Sequence, residues 1–145
     1  MSVIAVAECR VPVQRALAFE RFVDFRNWRY FMPREFRPKS GPERGLRAGD
    51  RVRVELDTGP LRVPVPVDVF EVDAPHEIVW GGGNRLLHAR HAFRFEEDGD
   101  GTRIVSHEVW TGVLTVSPRL ARRLKAQAEV VGRAQLGGFA RWLEK

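Results

Sequence analysis

Cysteine is all but absent from this chain. Cys9 stands alone among 145 residues, which excludes an internal disulfide framework and leaves no second cysteine for a Cys-based zinc site. The first residues, Met1 to Ala5, lack a basic n-region, and no apolar run approaches the roughly 18 residues of a membrane span. A soluble, cytoplasmic protein is the expectation. A long basic tract is missing as well. The formal charge is +5, but basic residues alternate with acidic ones, as in Glu20-Arg21 and Asp50-Arg51, so no nucleic acid is expected as a partner. Gly81-Gly82-Gly83 is followed by neither Lys-Ser/Thr nor a helix, which excludes a phosphate-cradling loop and favours a turn or bulge.

What is present suits one folded domain over residues 1–145. At this length about 70% of the unfolded chain's surface can be buried, and 43% apolar residues supply the material. Ser2 to Val11 reads as a strand ending at Pro12, with Cys9 a small buried residue of it. Ala16, Leu17, Phe19, Phe22 and Val23 then fall at helical spacing, and a second short helix around Trp28 to Met32 stops before Pro33. A loop-rich stretch to Gly49 leaves room for a short edge strand near Phe36. Period-two alternation follows over Arg51–Asp57, Val63–Val72, Glu77–Trp80, Leu87–Glu96 and Thr102–Leu114, separated by turn clusters short enough for hairpins. Pro64 and Pro66 remove two ladder donors, so regular pairing in that strand is expected only after Pro66.

The last segment carries its own start signal. Ser117 is an N-cap and Pro118 the first helical residue, and a stripe of Leu120, Leu124, Ala128, Val131, Gln135, Phe139 and Trp142 runs to the C-terminus. About 26 residues make a helix of roughly 40 Å, which needs a broad concave surface to lie on. The meander supplies it. The expectation is an α+β fold in which a curved antiparallel sheet of about seven strands wraps a long C-terminal helix, with two short helices after the first strand.

Several local marks sit in order along this frame: Pro12, then Asp24 with Trp28 and Pro33, then Val72-Asp73-Ala74-Pro75 leading into Ile78-Val79-Trp80. His91-x-Phe93-x-Phe95, Gly101-Thr102-Arg103 and His107-Glu108 ahead of Gly112 complete the series. Over essentially its whole length the chain resembles the START-related helix-grip superfamily (SRPBCC), which includes birch-pollen-allergen-like proteins and the polyketide cyclase/dehydrase and lipid-transport group. The resemblance implies a cavity between sheet and helix for a small hydrophobic ligand. It also implies that the short helix carrying Trp28, Phe31 and Met32 helps close the cavity mouth.

The polar end of such a cavity can be sought by register. With Asp98-Gly99-Asp100-Gly101 as a four-residue loop, Glu97 faces Thr102, and the pairs Phe95–Ile104, Phe93–Ser106 and His91–Glu108 share one face. Phe93 and Phe95 mark that face as concave, so His91 and Glu108 meet inside as candidate acid/base or ligand-positioning groups. The bland alternative is a buried pair that only fixes register. Ser106-His107-Glu108 spells a triad in letters, but strand alternation separates the serine from His107. His88 and His91 point oppositely and His76 is isolated, so neither a metal nor a cofactor is expected.

Trp80 and Trp110 on strands, with Leu124, Ala128 and Val131 on the closing helix, complete the expected ligand-binding set, and Gln135 needs a partner, the ligand or Glu108. Gly132, Gly137 and Gly138 weaken the helix by roughly 1 kcal/mol each relative to alanine, so either the sheet approaches closely there or room is left. Arg119, Arg122, Arg123 and Lys125 crowd the positive end of the helix dipole and could form a surface for anionic lipid. The leading expectation is a binder of a lipid or polyketide. The alternatives are a polyketide cyclase/dehydratase using His91 or Glu108, and a protein-interaction module of the chaperone co-factor type with a filled interior.

Overall fold

The computed structural model describes residues 2–57 and 59–145; Met1 and Thr58 lie outside the described residues. The order is β1 (Ser2–Val11), α1 (Arg15–Val23), α2 (Phe25–Phe31), β2 (Phe36–Ser40), β3 (Arg51–Asp57), β4 (Arg62–Asp73), β5 (Glu77–Gly83), β6 (His88–Asp98), β7 (Gly101–Thr111), a 3₁₀ turn (Val113–Val116) and α3 (Pro118–Leu143). The strands form one antiparallel sheet in the order β1-β7-β6-β5-β4-β3-β2. Alternation sets its two faces. In β1, Val3, Ala5, Ala7 and Val11 are buried on the concave side while Ile4 and Val6 face out.

The two short helices divide at Asp24, whose extended backbone ends α1 and whose carboxylate accepts from the Arg26 N–H at 3.0 Å to cap α2. Ser117 caps α3 in the same way, its Oγ accepting from the Leu120 N–H at 3.3 Å. α3 lies along β1 and the neighbouring β7. Ala5 and Ala7 make a low surface there, and a Cβ on Gly132 would sit 3.6 Å from the Ala7 Cβ. Lys125 reaches over the sheet edge and donates to the Ile4 carbonyl at 2.9 Å, satisfying an acceptor on an edge strand.

Four expectations need correction. Pro64 and Pro66 lie within the paired part of β4, opposite Glu55 and Arg53. Two residues apart, their nitrogens share one side of the strand. β5 pairs with β4 only from Asp68 onward, so the missing donors fall outside the β4–β5 ladder. Gly81-Gly82-Gly83 belongs to β5 instead of a turn: a Cβ on Gly81 would lie 2.0 Å from the Ala89 carbonyl oxygen, so glycine permits a close strand approach. β7 ends at Thr111 and Leu114 falls in the 3₁₀ turn. The β6–β7 loop is two residues, Gly99 and Asp100, and Asp98 pairs with Gly101, yet the register beyond it is the expected one.

Cys9 is half-buried; burial, reinforced by the Glu8 charge, pushes its thiol up to about 11, so it stays a protonated thiol at neutral pH.

The glycines of α3 divide by surroundings. A Cβ on Gly138 would fall 2.2 Å from the Phe31 carbonyl oxygen, whereas on Gly137 it would meet only the Arg141 guanidinium at 3.3 Å. Gly138→Ala is therefore expected to destabilise by about 1–3 kcal/mol despite its better helix propensity. Gly137→Ala should be neutral or stabilise by up to about 1 kcal/mol. Urea unfolding of the two variants checks this, and equal effects would mean that α2 and α3 do not touch at that point.

Candidate functional site

β6 and β7 bring the polar residues of the concave face together. His91 stands opposite Glu108 and Phe93 opposite Ser106. The His91 Nδ1 lies 2.7 Å from Glu108 Oε2, and its Nε2 lies 2.6 Å from Ser106 Oγ. The other carboxylate oxygen, Oε1, accepts from the Trp110 indole N–H at 2.7 Å. An ionised carboxylate only accepts, so Nδ1 carries a hydrogen, and Nε2 shares the second hydrogen bond with the Ser106 hydroxyl. Trp110, Glu108, His91 and Ser106 thus form one continuous hydrogen-bonded chain. A serine, a histidine and an acid do line up in sequence of contact, but the histidine is His91 and not His107.

The surroundings of this chain are mainly apolar. His91 stacks on Phe93 with ring centroids 4.1 Å apart and meets Trp80 edge-on. His91 and Ser106 are buried, while the Glu108 side chain keeps 14% of its exposure. Burial pushes the Glu108 carboxyl up, but the His91 charge and the hydrogen bonds from His91 and Trp110 outweigh it and hold it below the usual carboxylate range. Across from Ser106, a Cβ on Gly132 of α3 would lie 3.5 Å from Oγ. Gln135, one turn further along, is buried and its Oε1 has no hydrogen-bond partner.

The other residues expected around a ligand divide into two groups. Trp28, Trp80, Phe93 and Phe95 are fully buried and pack, with Phe22 and Phe139, into one aromatic cluster that fills the space beneath α1 and the end of α3. The Trp28 N–H is satisfied internally by the Phe22 carbonyl at 2.9 Å. Phe31 is buried against Phe139, and Phe31 and Met32 also border an open cleft of about 210 Å³ beside Gly138 and Arg141.

Toward the other end of the sheet, where β1 begins and β7 ends, the filling thins. Trp110, Leu124 and Val131 are only half-buried there, and Ala128 is buried. α3 packs mainly on β1 and β7, α1 on β6 and β7, and α2 on β2 and α3, so the helices make their main contacts away from the start of β4. Val63 is 38% exposed and its neighbours Leu56 and Val65 are half-buried on the same concave face. These apolar side chains lie on the same concave face of the sheet as Glu108 and Trp110 of β7. Val63, Val65 and Leu56 were not among the expected site residues. Their alternation was plain in the sequence, but which part of the sheet the helix leaves bare was not.

Among solved structures, the Zhui aromatase/cyclase from Streptomyces sp. R1128 superposes with a TM-score of 0.77 at 16% identity, over 99% of this chain and 94% of that one. The fold is the helix grip. It is the fold that the resemblance implied. TTHA0849 from Thermus thermophilus shares the helix grip at a TM-score of 0.76 and 16% identity, over 97% of both chains. Ara h 8.0201 shares it at 0.64 and 14%, over the full length of both. No family model and no curated protein matches the chain by sequence. Among the described residues no group of three His, Cys, Asp or Glu side chains could hold a metal ion, and no helix is long and apolar enough to cross a membrane.

Proposed function

We propose that an apolar trough between β3–β4 and α3 takes a small hydrophobic molecule, and that Glu108 orients it through a hydrogen bond. The observation that carries this reading is the combination at Glu108: a carboxylate held ionised by His91 and Trp110, still partly exposed, on the same concave face as the half-buried apolar residues of β3 and β4. Apolar contact supplies affinity and one polar group sets orientation, the usual division of labour in a ligand pocket. Glu108 accepts and does not donate, so the ligand that fits offers a hydroxyl or similar donor on an apolar body. Zhui is an aromatase/cyclase, and a polyketide-like aromatic is a ligand of that description.

A hydroxylated naphthoquinone and a long-chain alcohol are suitable probes. We expect saturable one-to-one binding that quenches tryptophan emission, most of the quenching disappearing in Trp110→Phe. Val65→Trp fills the trough and should weaken binding by at least about tenfold, a loss of about 1.4 kcal/mol. Native mass spectrometry of the purified protein should show a retained apolar ligand. No saturable binding to either probe and no retained ligand would sink the reading in favour of an interaction module.

A cyclase/dehydratase activity is the second reading, and the Ser106–His91–Glu108 contacts favour it. An imidazole whose Nδ1–H is fixed by a carboxylate can exchange a proton with a ligand at Nε2. Conversion of a poly-ketone substrate that is abolished in His91→Phe while that variant still binds the naphthoquinone would establish it.

A further inference from the structure

The same end of the sheet carries a second surface. The 3₁₀ turn after β7 docks on the β5–β6 turn: the Val113 N–H donates to the Arg85 carbonyl at 3.1 Å and the Leu114 N–H to the Leu86 carbonyl at 3.0 Å. These two turns hold Leu86, Val113, Leu114 and Val116 at 56%, 62%, 40% and 65% exposure in one place. Aliphatic side chains scattered singly on a surface need no explanation, but four on two bonded turns form a patch. Ser117 follows at once, and the first turns of α3 present Arg119, Arg122 and Arg123 at helical spacings of three and four residues, all exposed.

Charge identifies what this patch faces. No Asp or Glu occurs between Glu77 and Glu96 or between Glu108 and Glu129, the two segments that build it. Across the rest of the molecule most arginines lie in ion pairs, such as Arg10 with Asp98, Arg44 with Asp50 and Arg51 with Asp68. Arg85, Arg119, Arg122 and Arg123 make none among the described residues. Lys125, expected to join this group, is engaged by the Ile4 carbonyl and by Glu129 at 3.8 Å and does not belong to it.

We infer that this tip is a docking surface for an anionic lipid bilayer, with the aliphatic side chains entering the interface and the arginines meeting the headgroups. Cations at the positive end of a helix dipole are unfavourable in the free protein, and a negatively charged surface reverses that sign. Apolar insertion flanked by basic residues is the pattern that membrane-surface binding requires. The inference does not depend on what the proposed trough holds.

Flotation of the intact protein with vesicles of phosphatidylcholine, alone or mixed with phosphatidylserine, tests it. Recovery should occur with the anionic vesicles, fall with added salt, and drop by at least about tenfold in Arg119→Ala/Arg122→Ala/Arg123→Ala. Val113→Ser/Val116→Ser, exposed positions that leave the fold intact, should reduce it with the arginines in place. Equal recovery on neutral vesicles, no recovery on either, or recovery unchanged in both variants would overturn the inference. An acidic protein that binds the tip while the vesicles do not would overturn it too. Naphthoquinone binding in the variants, measured alongside, separates failure of this surface from failure of the trough.

Discussion

Phe22→Ala is expected to lower the free energy of unfolding by about 3–5 kcal/mol, the upper range for truncating a buried aromatic. Phe22 has no exposed surface. Its ring lies 4.9 Å from Phe93, 5.1 Å from Phe139, 5.4 Å from Phe95, 5.5 Å from Phe31 and 5.9 Å from Trp80. One side chain from α1 therefore joins α2, β5, β6 and α3, and its removal leaves a cavity that these elements can close only by moving together. Domains of this size have about 5–15 kcal/mol in total, so the loss is a large share. Urea unfolding should show a lower midpoint with little change in slope. Phe22→Leu should recover part of it. A cost below about 1 kcal/mol would show that the aromatic cluster does not hold the helices to the sheet.

That cluster also shows where sequence reading stopped. The order of elements, the bounds of β1, β3 and α3, and the β6–β7 register were legible, because alternation, a loop of turn residues and a Ser-Pro helix start each act locally. The register survived a mistaken loop length because Asp98 and Gly101 pair across the turn without displacing Glu97 and Thr102. Pro64 and Pro66 misled because a proline's cost depends on whether its nitrogen would have donated to a ladder, and β5 pairs with β4 only from Asp68 onward. Gly81 misled for a similar reason: the demand for glycine comes from Ala89 on the next strand.

The site was legible in part. His91 and Glu108 share a face and oppose each other, which alternation alone predicts. Ser106 was placed opposite Phe93, and so it is, yet the imidazole extends along β7 and its far nitrogen reaches the serine diagonally. Ring orientation of that kind follows from the stack on Phe93, a tertiary contact. Trp28, Trp80, Phe93 and Phe95 are expected around a ligand, but all four are buried in the aromatic cluster; composition does not distinguish an aromatic that lines a space from one that fills it.

Glu108 is the residue on which fold and site depend together. Glu108→Leu would leave both the His91 Nδ1–H and the Trp110 indole N–H without an acceptor in apolar surroundings, and is expected to cost about 3–5 kcal/mol. Glu108→Gln keeps the shape but has one acceptor oxygen for the two donors, so about 1–3 kcal/mol is expected. The difference between wild type and Glu108→Gln should depend on pH. The folded carboxyl is held below its unfolded value, so its contribution is fully present above the unfolded carboxylate pKa. It fades as pH falls from there through the folded value, because the unfolded chain takes up its proton first. Asp24, Asp50 and Asp57 are lowered as well, but they are common to both proteins and cancel in the difference. Urea unfolding across the acid range should therefore show the gap constant near neutrality and closing below the usual carboxylate range. A gap that widens on acidification would mean the folded Glu108 is the easier one to protonate, and the His91 and Trp110 contacts would then not be the forces that hold it ionised.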